Sequence, residues 1–119
     1  MHNYRKLQVW HKAHTLTLDI YKFSGNYPQA EQYSLTSQTR RAASSIPANI
    51  AEGCGRNSDI DLIRFLHIAM GSANELDYHL LLAHDLNYLT TENHSILETQ
   101  TKEVQRMLVG FINKLRLQE

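Results

Sequence analysis

The chain has 119 residues, of which 42% are hydrophobic and 20% charged, with only two prolines and five glycines; this suits one compact domain, 1–119, and excludes a disordered or linker-rich chain. Twelve Lys plus Arg balance twelve Asp plus Glu, so no global field draws the chain to nucleic acid or to an anionic membrane, and any such binding has to come from a local patch. The lone Cys54 makes no intramolecular disulfide, and the polar start Met1 to Lys6 leads into neither a signal-peptide core nor a long apolar span, so a cytoplasmic location off the membrane is expected.

Val9, Ala13, Leu16, Ile20, Phe23 and Tyr27 step by four and three, the seam of a first helix facing a bundle core, until Gly25, Asn26 and Pro28 interrupt it. A second helix is predicted from about Ala30 to Glu52 on Leu35, Ala42 or Ala43, Ile46 and Ile50, with small residues that let a neighbour approach closely. Pro47 sits inside it and removes one backbone hydrogen bond, at a cost of roughly 3 kcal/mol in isolation. A kink rather than two helices is expected, because Ile46 is a poor N-cap and the apolar spacing continues through the proline.

Gly53-Cys54-Gly55 ends that helix, and Ser58 before Asp59 and Asp61 reads as the cap of a third. Leu62, Leu66, Ala69, Ala73, Leu76, Leu80 and Ala83 keep the 4-3 rhythm, so this helix runs to about Tyr88 and spans on the order of 45 Å. A second stripe beside the first, Phe65, Ile68, Ser72, Glu75, His79, Leu82 and Leu86, exceeds what one bundle core requires; Phe65, Ile68, Leu82 and Leu86 are the candidates for an interface between copies. Thr91 with Glu92 is the expected cap of a fourth helix, whose seam is Leu97, Thr101, Val104, Leu108, Phe111 and Leu115. Short joints make sequential neighbours antiparallel, so the expected fold is all-α, an up-down-up-down four-helix bundle.

In a hairpin of the second and third helices, residues whose numbers sum to about 116 lie level. Glu52 then meets Arg64, Asn49 meets His67 or Ile68, Ser45 meets Gly71, Arg41 meets Glu75, and Arg56 reaches Glu52 from one turn beyond. Arg41, Asn49, Glu52, Arg56, Arg64 and Glu75 are therefore either a set that fixes helix register or a polar groove that receives a ligand; reciprocal pairing favours the first.

Reactive chemistry is thin. Of seven histidines, His11 and His14 share a helix face, but nothing completes a metal site; His79 and His84 do not share one. Cys54 between two glycines, near Arg56 and a helix N-terminus, is either a thiol of lowered pKa or a bland small residue, and it lacks an assignable base. Gly53-Cys54-Gly55-Arg56 lacks the Walker lysine and a preceding strand. No catalytic residue, cofactor, metal or small-molecule substrate is predicted, and the chain is read as a non-enzyme. Arg40 with Arg41, and Lys102, Arg106, Lys114 and Arg116 on the fourth helix, are candidate phosphate contacts, diluted by Glu98, Glu103 and Glu119.

The run Leu35 to Leu82 carries Gln38, Arg40-Arg41-Ala42-Ala43, Ser45-Ile46-Pro47-Ala48-Asn49-Ile50-Ala51-Glu52-Gly53, Arg56, Arg64-Phe65-Leu66, Ile68-Ala69, Gly71-Ser72 and Glu75-Leu76. Together these resemble the bacterial four-helix-bundle family encoded by intervening sequences in 23S ribosomal RNA genes. Val9-Trp10, Ala13, Tyr21 and Asp85-Leu86-Asn87-Tyr88 extend the likeness over most of the chain. The resemblance implies a homo-oligomer, commonly a ring-shaped pentamer. A related branch, the accessory proteins of diversity-generating retroelements, binds nucleic acid and a reverse transcriptase through a strongly basic surface, from which this chain's zero net charge departs. The expected function is a non-enzymatic oligomeric scaffold engaging an RNA or RNA-protein partner. The alternatives are a direct RNA-binding module and, third, a catalyst with its site between protomers.

Overall fold

The computed structural model describes residues 1–118; Glu119 lies outside the described residues. Among the described residues there are four long helices and no strand: α1 (Gln8–Ser24), α2 (Leu35–Cys54), α3 (Asp59–Asp85) and α4 (Thr91–Leu117). Each helix packs on two neighbours and none on the diagonal one, so the four stand at the corners of a square in up-down-up-down order, within 46 × 24 × 20 Å. Among the described residues no helix is long and apolar enough to cross a membrane.

The 4-3 seams form the core. Ala13, Leu16, Ile20, Ile46, Ile50, Leu66, Ala69, Ala73, Leu76, Leu80, Leu97 and Leu108 are all 0–1% exposed, and burying each of the larger ones contributes about 1.5–3 kcal/mol. The buried threonines satisfy themselves along their own helices: Thr101 Oγ1 donates to Leu97 O at 2.8 Å, and Thr39 Oγ1 to Leu35 O at 2.7 Å. Thr17 Oγ1 donates both to Ala13 O and, across the α1–α2 contact, to Ala43 O.

The helix ends differ from the expectation in instructive ways. Pro28 leads into a 3-10 turn, Gln29–Glu31, and α2 begins only at Leu35, where Glu31 Oε1 accepts from the Leu35 amide. From there α2 is unbroken through the buried Pro47 to Cys54. Ser58 caps α3, its hydroxyl accepting from the Asp61 amide at 3.1 Å. The helix stops at Asp85, short of the expected Tyr88, because Asn87 turns left-handed (φ 66°) and the Tyr88 amide reaches back to Ala83 O at 2.8 Å. Thr90, rather than Thr91, caps α4 by accepting from the Asn93 amide. Near the end of α4 the core position falls to Ile112, 4% exposed, and Phe111 is only half-buried.

Gly53 decides how closely α2 and α3 meet. It lies inside the last turn of α2, and a Cβ there would stand 2.8 Å from Phe65 Cβ and 2.9 Å from Leu62 Cδ1. The glycine expected to mark a turn therefore permits a close helix approach. The same end of the bundle is tied by the N-terminus: the His2 amide donates to Cys54 O at 2.9 Å, and the His2 ring lies 3.0 Å from Asp59 Oδ1 and edge-on to Phe111.

Candidate functional site

The six polar residues of α2 and α3 do not converge on one site. Arg64 bonds Asp61 at 3.0 and 3.1 Å, one turn back in its own helix, instead of Glu52; an i,i+3 partner needs no reach across the groove. Arg56 stands 3.9 Å from both Glu52 and Asp61. The two guanidiniums lie over the Phe65 ring at 4.7 and 4.6 Å. Phe65, counted above with the self-association stripe, is thus 6% exposed and belongs to the protomer's own packing. Asn49 Nδ2 donates within α2, to Ser45 O and Ser45 Oγ, rather than to the level of His67. Ser45 meets Ser72, hydroxyl to hydroxyl at 2.9 Å, one residue beyond the expected Gly71. Arg41 and Glu75 face a shared hollow of about 200 Å³ without forming an ion pair, and Glu75 instead approaches His79 Nε2 at 3.7 Å.

The basic candidates are largely engaged inside the fold. Arg40 donates to Ser24 Oγ and Tyr21 O and lies over the Tyr21 ring, holding α1 to α2. Lys102 Nζ is 3.1 Å from Asp77, and Arg116 donates to His67 Nε2 at 3.1 Å. Arg106 lines a shallow hollow with Gln105 and Val109, and Lys114 is exposed. Of the six candidate cations, Arg41 on α2 and Arg106 and Lys114 on α4 are exposed and form no ion pair among the described residues, so they do not gather on one face of the protomer.

The reactive-thiol reading of Cys54 is overturned: the residue is 1% exposed, and burial pushes its thiol up, only partly opposed by the N-terminal ammonium. The histidines are taken up singly or in stacks. His14 lies flat against Trp10, His84 against His94, and among the described residues no three His, Cys, Asp or Glu groups gather to hold a metal.

What remains is the outer face of α3. Ile60, Ile68, Tyr78 and Leu86 are 71%, 43%, 58% and 44% exposed, with Leu82 half-buried beside them. Gly71 lies in the middle, where an added Cβ would meet nothing within 4 Å. Two of the other grooves are bridged by side chains: Lys12–Glu103 and Gln100–Asp19 join α1 to α4, and Lys102–Asp77, Gln105–Asn74 and Arg116–His67 join α3 to α4. Over its middle and upper length the α2–α3 groove is bridged, among the described residues, by the Ser45–Ser72 bond and, beyond the helix ends, by Tyr88 Oη donating to Glu31 Oε2 at 2.8 Å; between them opens a hollow of about 250 Å³ floored by Leu35, Leu82 and Leu86 and rimmed by Glu31, Gln38 and His79. The buried His79 Nδ1 has no hydrogen-bond partner among the described residues. Ile60 and Tyr78 escaped the sequence reading, and Gly71 was read as the level partner of Ser45 and not as part of this face; their spacing of eleven and seven was the signal, and the charges of Arg64 and Glu75 on the same face mask it.

A family model described as 23S rRNA-intervening sequence protein matches residues 5–110. A crystal structure from Bacteroides thetaiotaomicron, of a protein with unknown function from the S23 ribosomal protein family, is similar with a TM-score of 0.79 and 31% sequence identity, over 87% of this chain and 97% of that one. No curated protein matches the chain.

Proposed function

Because the chain belongs to the 23S rRNA-intervening sequence protein family, we propose that it is a non-enzymatic helical scaffold that assembles with copies of itself and, so assembled, engages an RNA or RNA-protein partner. The observation that carries the reading is the outer face of α3, where Ile60, Ile68, Tyr78 and the following Leu86, interspersed with Arg64 and Glu75, are left exposed by the described residues. Gly71 adds to it. A glycine in an exposed helix interior costs roughly 1 kcal/mol against alanine, and no contact within the protomer repays that here. A neighbouring helix crossing at Gly71 gives it a reason. The resemblance noted in the sequence points to a ring of five.

The partner follows from family membership and from the assembly. The open cations of a single protomer are scattered, whereas a ring repeats Arg106 and Lys114 in every copy on the same side and raises the local field there without changing the net charge per chain.

Sedimentation or native mass measurement is expected to give a discrete multiple of the protomer. Leu82→Arg and Ile68→Arg are expected to yield smaller species of unchanged helicity. A wild-type chain that stays a lone protomer at every concentration refutes the scaffold. Structured RNA is expected to be retained by the assembled protein at low salt and released as salt rises; no retention at any salt removes RNA as the partner.

A further inference from the structure

We propose that Tyr33 of one copy is the knob that enters the α2–α3 hollow of the next, so that copies join head to tail and close into a ring. The inference rests on the self-association reading above and supplies its contact.

Tyr33 stands just before α2 and is 89% exposed, the highest value among the large apolar side chains. Aromatic rings fixed in water beside a rigid element are what interface centres bury, since a tyrosine brings much area and few rotatable bonds. The hollow suits it in size. Its volume of about 250 Å³ exceeds the roughly 150 Å³ that admits a benzene ring in a protein interior. It suits it in chemistry as well: Leu35, Leu82 and Leu86 offer an apolar floor, and Gln38 at the rim offers an amide oxygen to a phenolic O–H, while Glu31 already accepts from Tyr88 Oη and the Leu35 amide.

Charge selects which face meets which. The surface around Tyr33, between α1 and α2, is lined by Arg40 and Arg41 with hydroxyl, amide and phenol groups and no carboxylate. The hollow and the one adjoining it carry Glu31 and Glu75, with Arg41 on the crest of α2 bordering both faces. Like face against like brings like charges together, whereas knob face against hollow face brings opposite ones, so the contact is heterologous. In a square bundle the α1–α2 and α2–α3 sides are neighbours, turned about 90° from each other. Copies joined through two such sides close after roughly four to five steps instead of extending as a filament.

Chains bearing Tyr33→Cys and chains bearing Leu82→Cys are co-expressed and oxidised; the native Cys54 is buried and stays silent. A disulfide-linked dimer of one chain of each kind is expected in the mixture and from neither variant alone. A dimer from Tyr33→Cys alone shows a twofold contact and overturns the proposal, as does the absence of the mixed dimer from assembled protein. Tyr33→Ala, which removes no core contact, is expected to keep the helical spectrum and to weaken assembly about thirtyfold or more. If the wild type assembles and Tyr33→Ala assembles equally tightly, the knob is refuted while the scaffold reading stands; if the wild type never assembles, both fall.

Discussion

Replacing Gly53 by alanine probes the closest point between α2 and α3. The new methyl would sit 2.8 Å from Phe65 Cβ and 2.9 Å from Leu62 Cδ1. The leucine methyl can swing aside, but the Phe65 Cβ is fixed to the α3 backbone, so the helices have to part by several tenths of an ångström. Overpacking of this kind costs about 1–3 kcal/mol, and a clash with an immovable atom belongs at the upper end. Alanine regains roughly 1 kcal/mol of helix propensity, which leaves a net loss of about 2 kcal/mol. Urea unfolding followed by circular dichroism measures it as a lower midpoint at unchanged slope. Gly71→Ala is the control: its methyl meets nothing, so the protomer is expected to gain up to about 1 kcal/mol. Opposite signs at two glycines of neighbouring helices are the signature of packing; a Gly53→Ala protein as stable as wild type refutes the reasoning.

Stability is expected to fall on alkaline titration, because burial pushes the Tyr27 phenol up to about 12. The unfolded chain releases this proton from about pH 10, so stability is full below that and is lost as pH climbs toward 12, by on the order of 1 kcal/mol after allowing for partial solvent access. Tyr88, raised chiefly by its hydrogen bond to Glu31, acts in the same direction, and Tyr27→Phe is expected to flatten the profile measurably. Ala73→Arg places a charge at a fully buried seam position and is expected to abolish the cooperative unfolding transition, unlike the surface change Ile68→Arg. Thr90→Ala removes the cap that receives the Asn93 amide and is expected to cost about 1 kcal/mol, whereas Thr91→Ala is expected to cost much less. Glu52→Arg combined with Arg64→Glu is expected to show no mutual rescue in a double-mutant cycle, because Arg64 is held by Asp61.

Much of the bundle could be read from the chain because an α-helix converts spacing into direction: residues at 4-3 intervals share a face wherever the helix lies. Leu62 to Ala83 on α3 and Val9 to Ile20 on α1 are buried as their spacing requires. Where the reading slipped, two local choices differed by little. Phe111 and Ile112 both continue a 4-3 step from Leu108, and Thr90 and Thr91 are equally good caps; the packing of the finished helix made the choice. The Arg64 and Asn49 pairings of the polar register failed for a related reason. Level pairing assumes that charged side chains reach across a groove, but Arg64 and Asn49 found partners within a turn on their own helices, at a lower entropic cost.

Alone, then, the sequence determined the helices, their order and most of the seam each one buries, since all of these follow from residue type and short-range periodicity. Tertiary structure decided what depends on the distance between separate elements. That Gly53 is a contact point, that Cys54 and Phe65 are covered, that Arg40, Lys102 and Arg116 are engaged, and that Ile60, Gly71 and Tyr78 are left facing outward are properties of how the helices approach one another. Spacing along one helix sets which way a side chain points; only the neighbouring helix determines what it meets there.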